Sequence, residues 1–188
     1  RQLHTDPESG QAQLMRRGMK LDLGGVAKLP ILEAGMRVLK SHGLDGAMIN
    51  GGGDVLVTGQ LDGRDWRIGL RDPANPSGLL GTVSLTDGVV ASSGDYERHF
   101  ILDGRHFHHV LNPETGLPAQ GVRGVAMVAR DVNQVNGRGA MAMLLGPDAA
   151  AQMLSKLPGT ESVLVNGDGR RWLSSPGMAR RLATPAAG

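Results

Sequence analysis

The stretch His99-Phe100-Ile101-Leu102-Asp103-Gly104-Arg105-His106-Phe107-His108-His109-Val110 decides how this chain is built. Two short runs, His99 to Leu102 and His106 to Val110, flank Asp103-Gly104, and Asp-Gly is the pair that accepts the positive φ angles of a two-residue turn. The reading is a β-hairpin, and hairpins make antiparallel sheet. His108 and His109 are neighbours on the second strand, so their side chains face opposite sides and only one can enter a given pocket.

The same pattern continues outward. Ala47 to Asn50 and Asp54 to Val57 read as strands interrupted by Gly51-Gly52-Gly53. Trp66 to Leu70, Thr82 to Leu85 and Val89 to Ala91 alternate as half-buried strands do, and Val125 to Ala129 is an apolar strand. Ser162 to Val165 and Arg171 to Leu173 suit a last hairpin around Asn166-Gly167-Asp168-Gly169. A short strand, Lys20 to Leu23, is stopped by Gly24-Gly25. A helix follows, since Leu32, Met36, Leu39 and Gly43 share one face, with Pro30 in its first turn and Gly43 as its stop. Residues 134–145 and 147–156 suit two more helices. Strands outnumber helices and are mostly joined by turns. The class is therefore α+β, a single domain with a largely antiparallel sheet and packed helices. Residues 1–17 read as an extended lead-in, 18–175 as the domain and 176–188 as a flexible C-terminal tail.

Composition limits the functions open to it. The 188 residues are 40% hydrophobic and 20% charged, the balance of a globular protein. Its 29 glycines are dispersed rather than run together, which points to tight turns and close backbone approaches. With no cysteine there are no disulfides, thiolate metal ligands or Cys nucleophiles. No basic stripe with interleaved aromatics exists at a net charge of +2, which argues against nucleic acid as a partner. No run of eighteen apolar residues could span a membrane. The chain begins at Arg1 without Met or a signal-like stretch, as a processed or shortened piece of something longer would.

Three clusters suit an anionic ligand better than they suit a core. In Leu21-Asp22-Leu23-Gly24-Gly25-Val26-Ala27-Lys28, a glycine turn opening a helix lets backbone N–H groups approach phosphate, and Lys28 adds a point charge. A plain strand-to-helix turn with a surface lysine would look the same. In Asn50-Gly51-Gly52-Gly53-Asp54 the glycines either bring the chain close to a ligand or form a bulge. The third cluster joins Ser92-Ser93-Gly94-Asp95-Tyr96-Glu97-Arg98 to His106-Phe107-His108-His109 and Asn112-Pro113-Glu114-Thr115-Gly116. Asp54 and Asp95 suit polar ligand contacts or turn stabilisation.

Taken in order, Leu-Asp-Leu-Gly-Gly-Val-Ala-Lys at 21–28, Asn-Gly-Gly-Gly-Asp-Val at 50–55, Ser-Gly-Asp-Tyr-Glu-Arg at 93–98 and His-His-Val-Leu-Asn-Pro-Glu-Thr-Gly-Leu-Pro at 108–118 resemble the motifs of the ApbE family, the FAD:protein FMN transferases. The resemblance runs from about Lys20 to Gly146. It implies Mg²⁺-dependent flavinylation: FAD is bound, its pyrophosphate is split, AMP leaves, and FMN is attached to a Thr or Ser of a target flavoprotein. It implies a periplasmic or membrane-associated location as well. On this reading Gly24, Gly25, Lys28, Gly51, Gly52, Asp54, Ser93, Gly94, Asp95 and His109 contact the flavin nucleotide. Lys28 and His109 are the catalytic candidates, His109 for proton transfer or acceptor positioning.

The resemblance also implies a Mg²⁺ site made by a backbone carbonyl near Ala27 and side chains at positions 136 and 140. Where the family places Asp and Thr, this chain has Asn136 and Ala140, one helical turn apart, so the site reads as degenerate. It also has Lys28-Leu29-Pro30-Ile31 where the family continues Lys-Gly-Tyr-Ala, and only a short lead-in where the family has a substantial N-terminal portion. A non-catalytic flavin-binding paralogue, acting as carrier, sensor or assembly factor, is the alternative these departures raise. A structural domain that has lost its ligand is a third.

Overall fold

The strands that carry the core are apolar on both faces because both faces are covered. In the computed structural model, which describes residues 2–183, the centre is a six-stranded sheet. Its strands are β3 (Ala47–Asn50), β4 (Val55–Thr58), β7 (Gly88–Gly94), β10 (Val122–Ala129), β11 (Glu161–Asn166) and β12 (Arg171–Leu173). They lie in the order β12-β11-β10-β7-β4-β3, every neighbouring pair antiparallel.

Side chains alternate between the two faces of each strand. Val125, Met127 and Ala129 of β10 enter a core with Leu29, Met36, Met143 and Leu154, under the helices α1 (Lys28–Ser41), α2 (Arg138–Leu145) and α3 (Pro147–Ser155). Ala126 and Val128 enter a second core on the other face, with Ile68, Leu70, Val83 and Met178. That face is covered by the hairpin β5 (Trp66–Asp72) and β6 (Asn75–Leu85) together with α4 (Pro176–Ala183). Fully burying a Leu or Met side chain stabilises by about 1.5–3 kcal/mol, so Leu154, Met143 and Met178, none of them measurably exposed, anchor the helices firmly.

The Asp103-Gly104 hairpin forms, between β8 (His99–Leu102) and β9 (Arg105–His108), but the second strand stops at His108, short of the expected His109 and Val110. Both turn residues have positive φ, +49° and +71°. Helix α1 ends at Ser41, and Gly43 follows at φ +79°, the left-handed stop expected of it.

Four stretches differ from the sequence reading. Residues 20–23 run as irregular chain, with Leu21 and Leu23 half exposed and the Asp22 carboxylate accepting from Gly24 N–H at 2.7 Å, so the carboxylate shapes a turn. The lead-in at 1–17 contains a hairpin, β1 (Leu3–Asp6) with β2 (Gln11–Leu14), turned through Gly10 at φ +66°. The helix expected over 134–145 is broken: a 3-10 turn, Val132–Gln134, is followed by Gly137 at φ +73°, and α2 begins only at Arg138. Asn136 and Ala140 therefore do not share a continuous helix. The expected tail at 176–188 begins with α4, docked through Met178 and Leu182; residues 184–188 lie outside the described residues.

Candidate functional site

Two of the three glycine clusters, and the serines that open the third, meet around one lysine. Lys28 opens α1, and its Nζ lies 2.7 Å from Asp54 Oδ2, at the entry to β4. Asp54 is buried, and its other oxygen accepts from Ser92 N–H of β7 at 2.9 Å. One carboxylate thus ties the start of a helix to two strands. Burial of such a charge requires these partners, since an unpaired carboxylate would cost several kcal/mol, of the order found for broken buried pairs. Lys28 keeps a partly exposed ammonium with N–H groups to spare for an anion. No side chain caps α1 at Ala27, so its start adds N–H groups of the kind phosphate oxygens accept from.

The contacts continue past Asp54. Next to Ser92, Ser93 places its Oγ against Gly139 in the first turn of α2, so closely that any Cβ at 139 would collide with it. Two residues back, Gly137 approaches Val26, where an added Cβ would lie 3.4 Å from Val26 Cγ1. Asn136 Nδ2 donates to Val26 O at 2.9 Å, and Val26 leads back into Lys28. Lys28, Asp54, Ser92, Ser93, Gly139, Asn136 and Val26 form a closed ring of contacts.

The glycines divide by role. Gly52 and Gly53 take positive φ with open space around them, as a loop facing a ligand can. Asn50 closes that loop by accepting from Gly53 N–H at 3.0 Å. Gly51 is instead a packing glycine, since a Cβ there would meet Leu32 of α1 at 2.6 Å. Gly94 likewise makes room for the Tyr96 ring. Gly25 is open, while Gly24 is held by Asp22.

His109 and Asp95 make their contacts elsewhere. His108 is buried, its Nε2 donating to Ala119 O at 2.9 Å and its Nδ1 accepting from Val110 N–H at 3.3 Å, so both ring nitrogens serve the fold. His109 stands just past the end of β9 and is exposed, with its backbone N–H on Arg98 O. Asp95 faces Arg123 Nε at 3.6 Å and His106 Nδ1 at 4.0 Å, while its Oδ1 is buried without a partner. Burial lowers the His106 pKa from its ordinary value, against the opposing pull of Asp95. Burial raises that of Tyr96, with Glu97 adding to the effect. The Asn112–Gly116 stretch is a turn, with Asn112 Oδ1 accepting from Glu114 and Thr115 N–H and Gly116 at φ +69°. Arg138, which the sequence reading passed over, stands in the first turn of α2 with its Nε buried and unpartnered. Its signal was a lone cation beside the Asn136 position.

The region matches known proteins along most of its length. The model of the ApbE family matches residues 1–164. The chain belongs to the ApbE family. It is 31% identical over 181 residues to an FAD:protein FMN transferase of Treponema pallidum, covering 90% of this chain and 50% of that protein. It is 35% identical over 170 residues to an FAD:protein FMN transferase of Rhodobacter capsulatus, covering 87% of this chain and 31% of that protein. The chain thus spans half or less of these relatives. The crystal structure of the ApbE protein of Thermotoga maritima superposes with a TM-score of 0.85 at 28% identity, over 97% of this chain and 60% of that one. The apo flavinyl transferase ApbE of Pseudomonas stutzeri shares the fold, with a TM-score of 0.78 at 22% identity, over 98% of this chain and 58% of that one. The α+β architecture is that of ApbE structures.

The Mg²⁺ site that the resemblance implies meets unsuitable residues. Mg²⁺ demands several oxygen donors in near-octahedral array. The Val26 carbonyl accepts an N–H from Asn136, the Ala27 carbonyl accepts Ile31 N–H within α1, and Ala140 ends in a methyl group. Among the described residues, no three His, Asp or Glu side chains gather so as to hold a metal. Positions 26, 27, 136 and 140 do not fit the ion.

Proposed function

We propose that this chain works as an FAD:protein FMN transferase, binding FAD around Lys28 and passing FMN to a Thr or Ser hydroxyl of a target flavoprotein. In this reaction the hydroxyl oxygen forms a new P–O bond to the FMN phosphorus, the P–O bond to AMP breaks, and AMP leaves with the electron pair. The acceptor's proton passes to His109, whose exposed imidazole is free to meet a protein substrate. Lys28 donates its spare N–H groups to the pyrophosphate, and Asp54 holds that ammonium in place.

The observation that carries the reading is the Lys28–Asp54–Ser92 linkage, which unites motifs far apart in a sequence of the ApbE family. The resemblance implies Mg²⁺ dependence, which graded Mg²⁺ tests. The test incubates the full chain with FAD, a Thr-bearing acceptor flavoprotein and graded Mg²⁺. Equimolar AMP and an acceptor heavier by an FMN phosphoester support the proposal. Bound but intact FAD under every condition points instead to a flavin-binding paralogue without transfer.

A further inference from the structure

We infer that in this chain the junction between the Gly24–Lys28 turn and the start of α2 is a latch closed by the Asn136 carboxamide, with no need of a divalent cation. The bond from Asn136 Nδ2 to Val26 O measures 2.9 Å and joins segments 110 residues apart in sequence. It therefore holds two elements together that no local structure would keep adjacent.

The donor is fixed before it reaches its acceptor. Asn136 follows the 3-10 turn at Val132–Gln134, and its backbone N–H bonds Val132 O at 2.9 Å. That turn is closed reciprocally: Asp131 accepts from Asn133 N–H at 2.8 Å, and Gln134 Oε1 accepts from Asp131 N–H at 3.1 Å. Gln134 Nε2 then reaches Pro158 O at 3.1 Å. Gly137, at φ +73°, turns the chain so that it passes close to Gly25 and Val26. On the acceptor side, Val26 O meets Asn136, while the next carbonyl, Ala27 O, accepts Ile31 N–H within α1.

One atom decides the chemistry of this junction. A carboxamide presents an N–H to the carbonyl of Val26, which satisfies both groups. A carboxylate of the same shape would present a second oxygen, and two acceptors at hydrogen-bond distance repel unless a cation lies between them. Asn136 supplies from the protein the positive end that a metal would otherwise bring. Ala140, with no oxygen, agrees with a junction that holds no ion. The latch stands whether or not the chain transfers FMN, since it concerns the flavin-free protein.

Thermal unfolding of the flavin-free full chain, with millimolar Mg²⁺ or with EDTA, tests it. The wild-type Tm stays the same in both, and Asn136→Ala lowers it by about 2–4 °C, the shift expected for one lost hydrogen bond in a chain of this size. Asn136→Asp lowers it further and regains the loss on adding Mg²⁺, more fully when combined with Ala140→Thr. A saturable rise of the wild-type Tm with Mg²⁺ overturns the inference, as does an Asn136→Ala Tm equal to wild type. Should Asn136→Asp fail to fold, these two comparisons still decide. None of them reads flavin, so a failure here is separable from a failure of the transferase assignment.

Discussion

Lys28 Nζ and Asp54 Oδ2 lie 2.7 Å apart, and this pair is where a helix start, a glycine loop and a central strand become one site. Asp54 is the more consequential partner because it is buried and serves two donors, Lys28 and Ser92 N–H. Asp54→Ala leaves a backbone N–H without its acceptor and Lys28 without an anchor. We expect a loss of stability of about 1–3 kcal/mol, measured by denaturant unfolding, together with a loss of FAD affinity. Asp54→Asn keeps the Ser92 bond and loses the ion pair, so it should recover most of the stability and little of the affinity.

Gly139 tests the ring from the other side. In an exposed helix, Gly→Ala gains about 1 kcal/mol. Here the added methyl meets Ser93 Oγ, so Gly139→Ala should instead destabilise by about 1–3 kcal/mol, the usual cost of overpacking. Ser93→Ala removes the nearer atom in the way and leaves only Ser93 Cβ, at 2.9 Å, so the double variant should be more stable than the sum of the two singles. Additive effects in that cycle would mean the contact does not hold α2 in place.

The two adjacent histidines should separate cleanly. His108→Ala removes two hydrogen bonds from a buried position and should cost about 2 kcal/mol or more, lowering the Tm. His109→Ala removes an exposed side chain, so the Tm and FAD affinity should hold while FMN transfer is lost. Normal transfer by His109→Ala would reduce that residue to a surface histidine.

A pH effect follows from His106. Burial lowers its pKa in the fold, so the unfolded chain takes up the proton first. Its stabilising contribution is present above the ordinary value of 6.5 and is lost as pH falls from there through the lowered folded pKa. Burial is the main cause of that loss; Asp95 opposes it, and His99, His108 and Arg123 add to it. His106→Gln should flatten the fall in stability below pH 6.5, read from Tm against pH. An unchanged slope would assign the effect to another group.

Much of this architecture was legible because single residues force it. Asp103-Gly104 dictates a turn, Gly43 stops a helix, and the Val125–Ala129 run has both faces to bury. The break before α2 was written in Asn136-Gly137-Arg138-Gly139, but helical spacing masked the left-handed glycine. The Lys20 to Leu23 stretch read as a strand, yet among the described residues no strand pairs with it, and Asp22 accepts from the nearby Gly24 N–H instead. The α4 helix hid behind its arginine pair; its docking rests on Met178 and Leu182, and Arg181 pairs with Glu161 at 2.6 Å. In the site, residues of the first two motifs meet around Lys28 as the Lys28–Asp54 pair, while the division of the glycines into open and packing positions depended on neighbours distant in sequence. Gly51 against Leu32 and Gly94 against Tyr96 are of that kind.

The most direct test of the account is an FAD titration of the full chain beside its Lys28→Ala variant, following flavin fluorescence and AMP release in the same samples. Saturable FAD binding by the wild type, weakened at least tenfold in Lys28→Ala with an unchanged Tm, is the predicted result, with AMP appearing only in the wild type. Equal FAD binding by both proteins, or none by either, would contradict the claim that the ring around Lys28 and Asp54 is the flavin-nucleotide site.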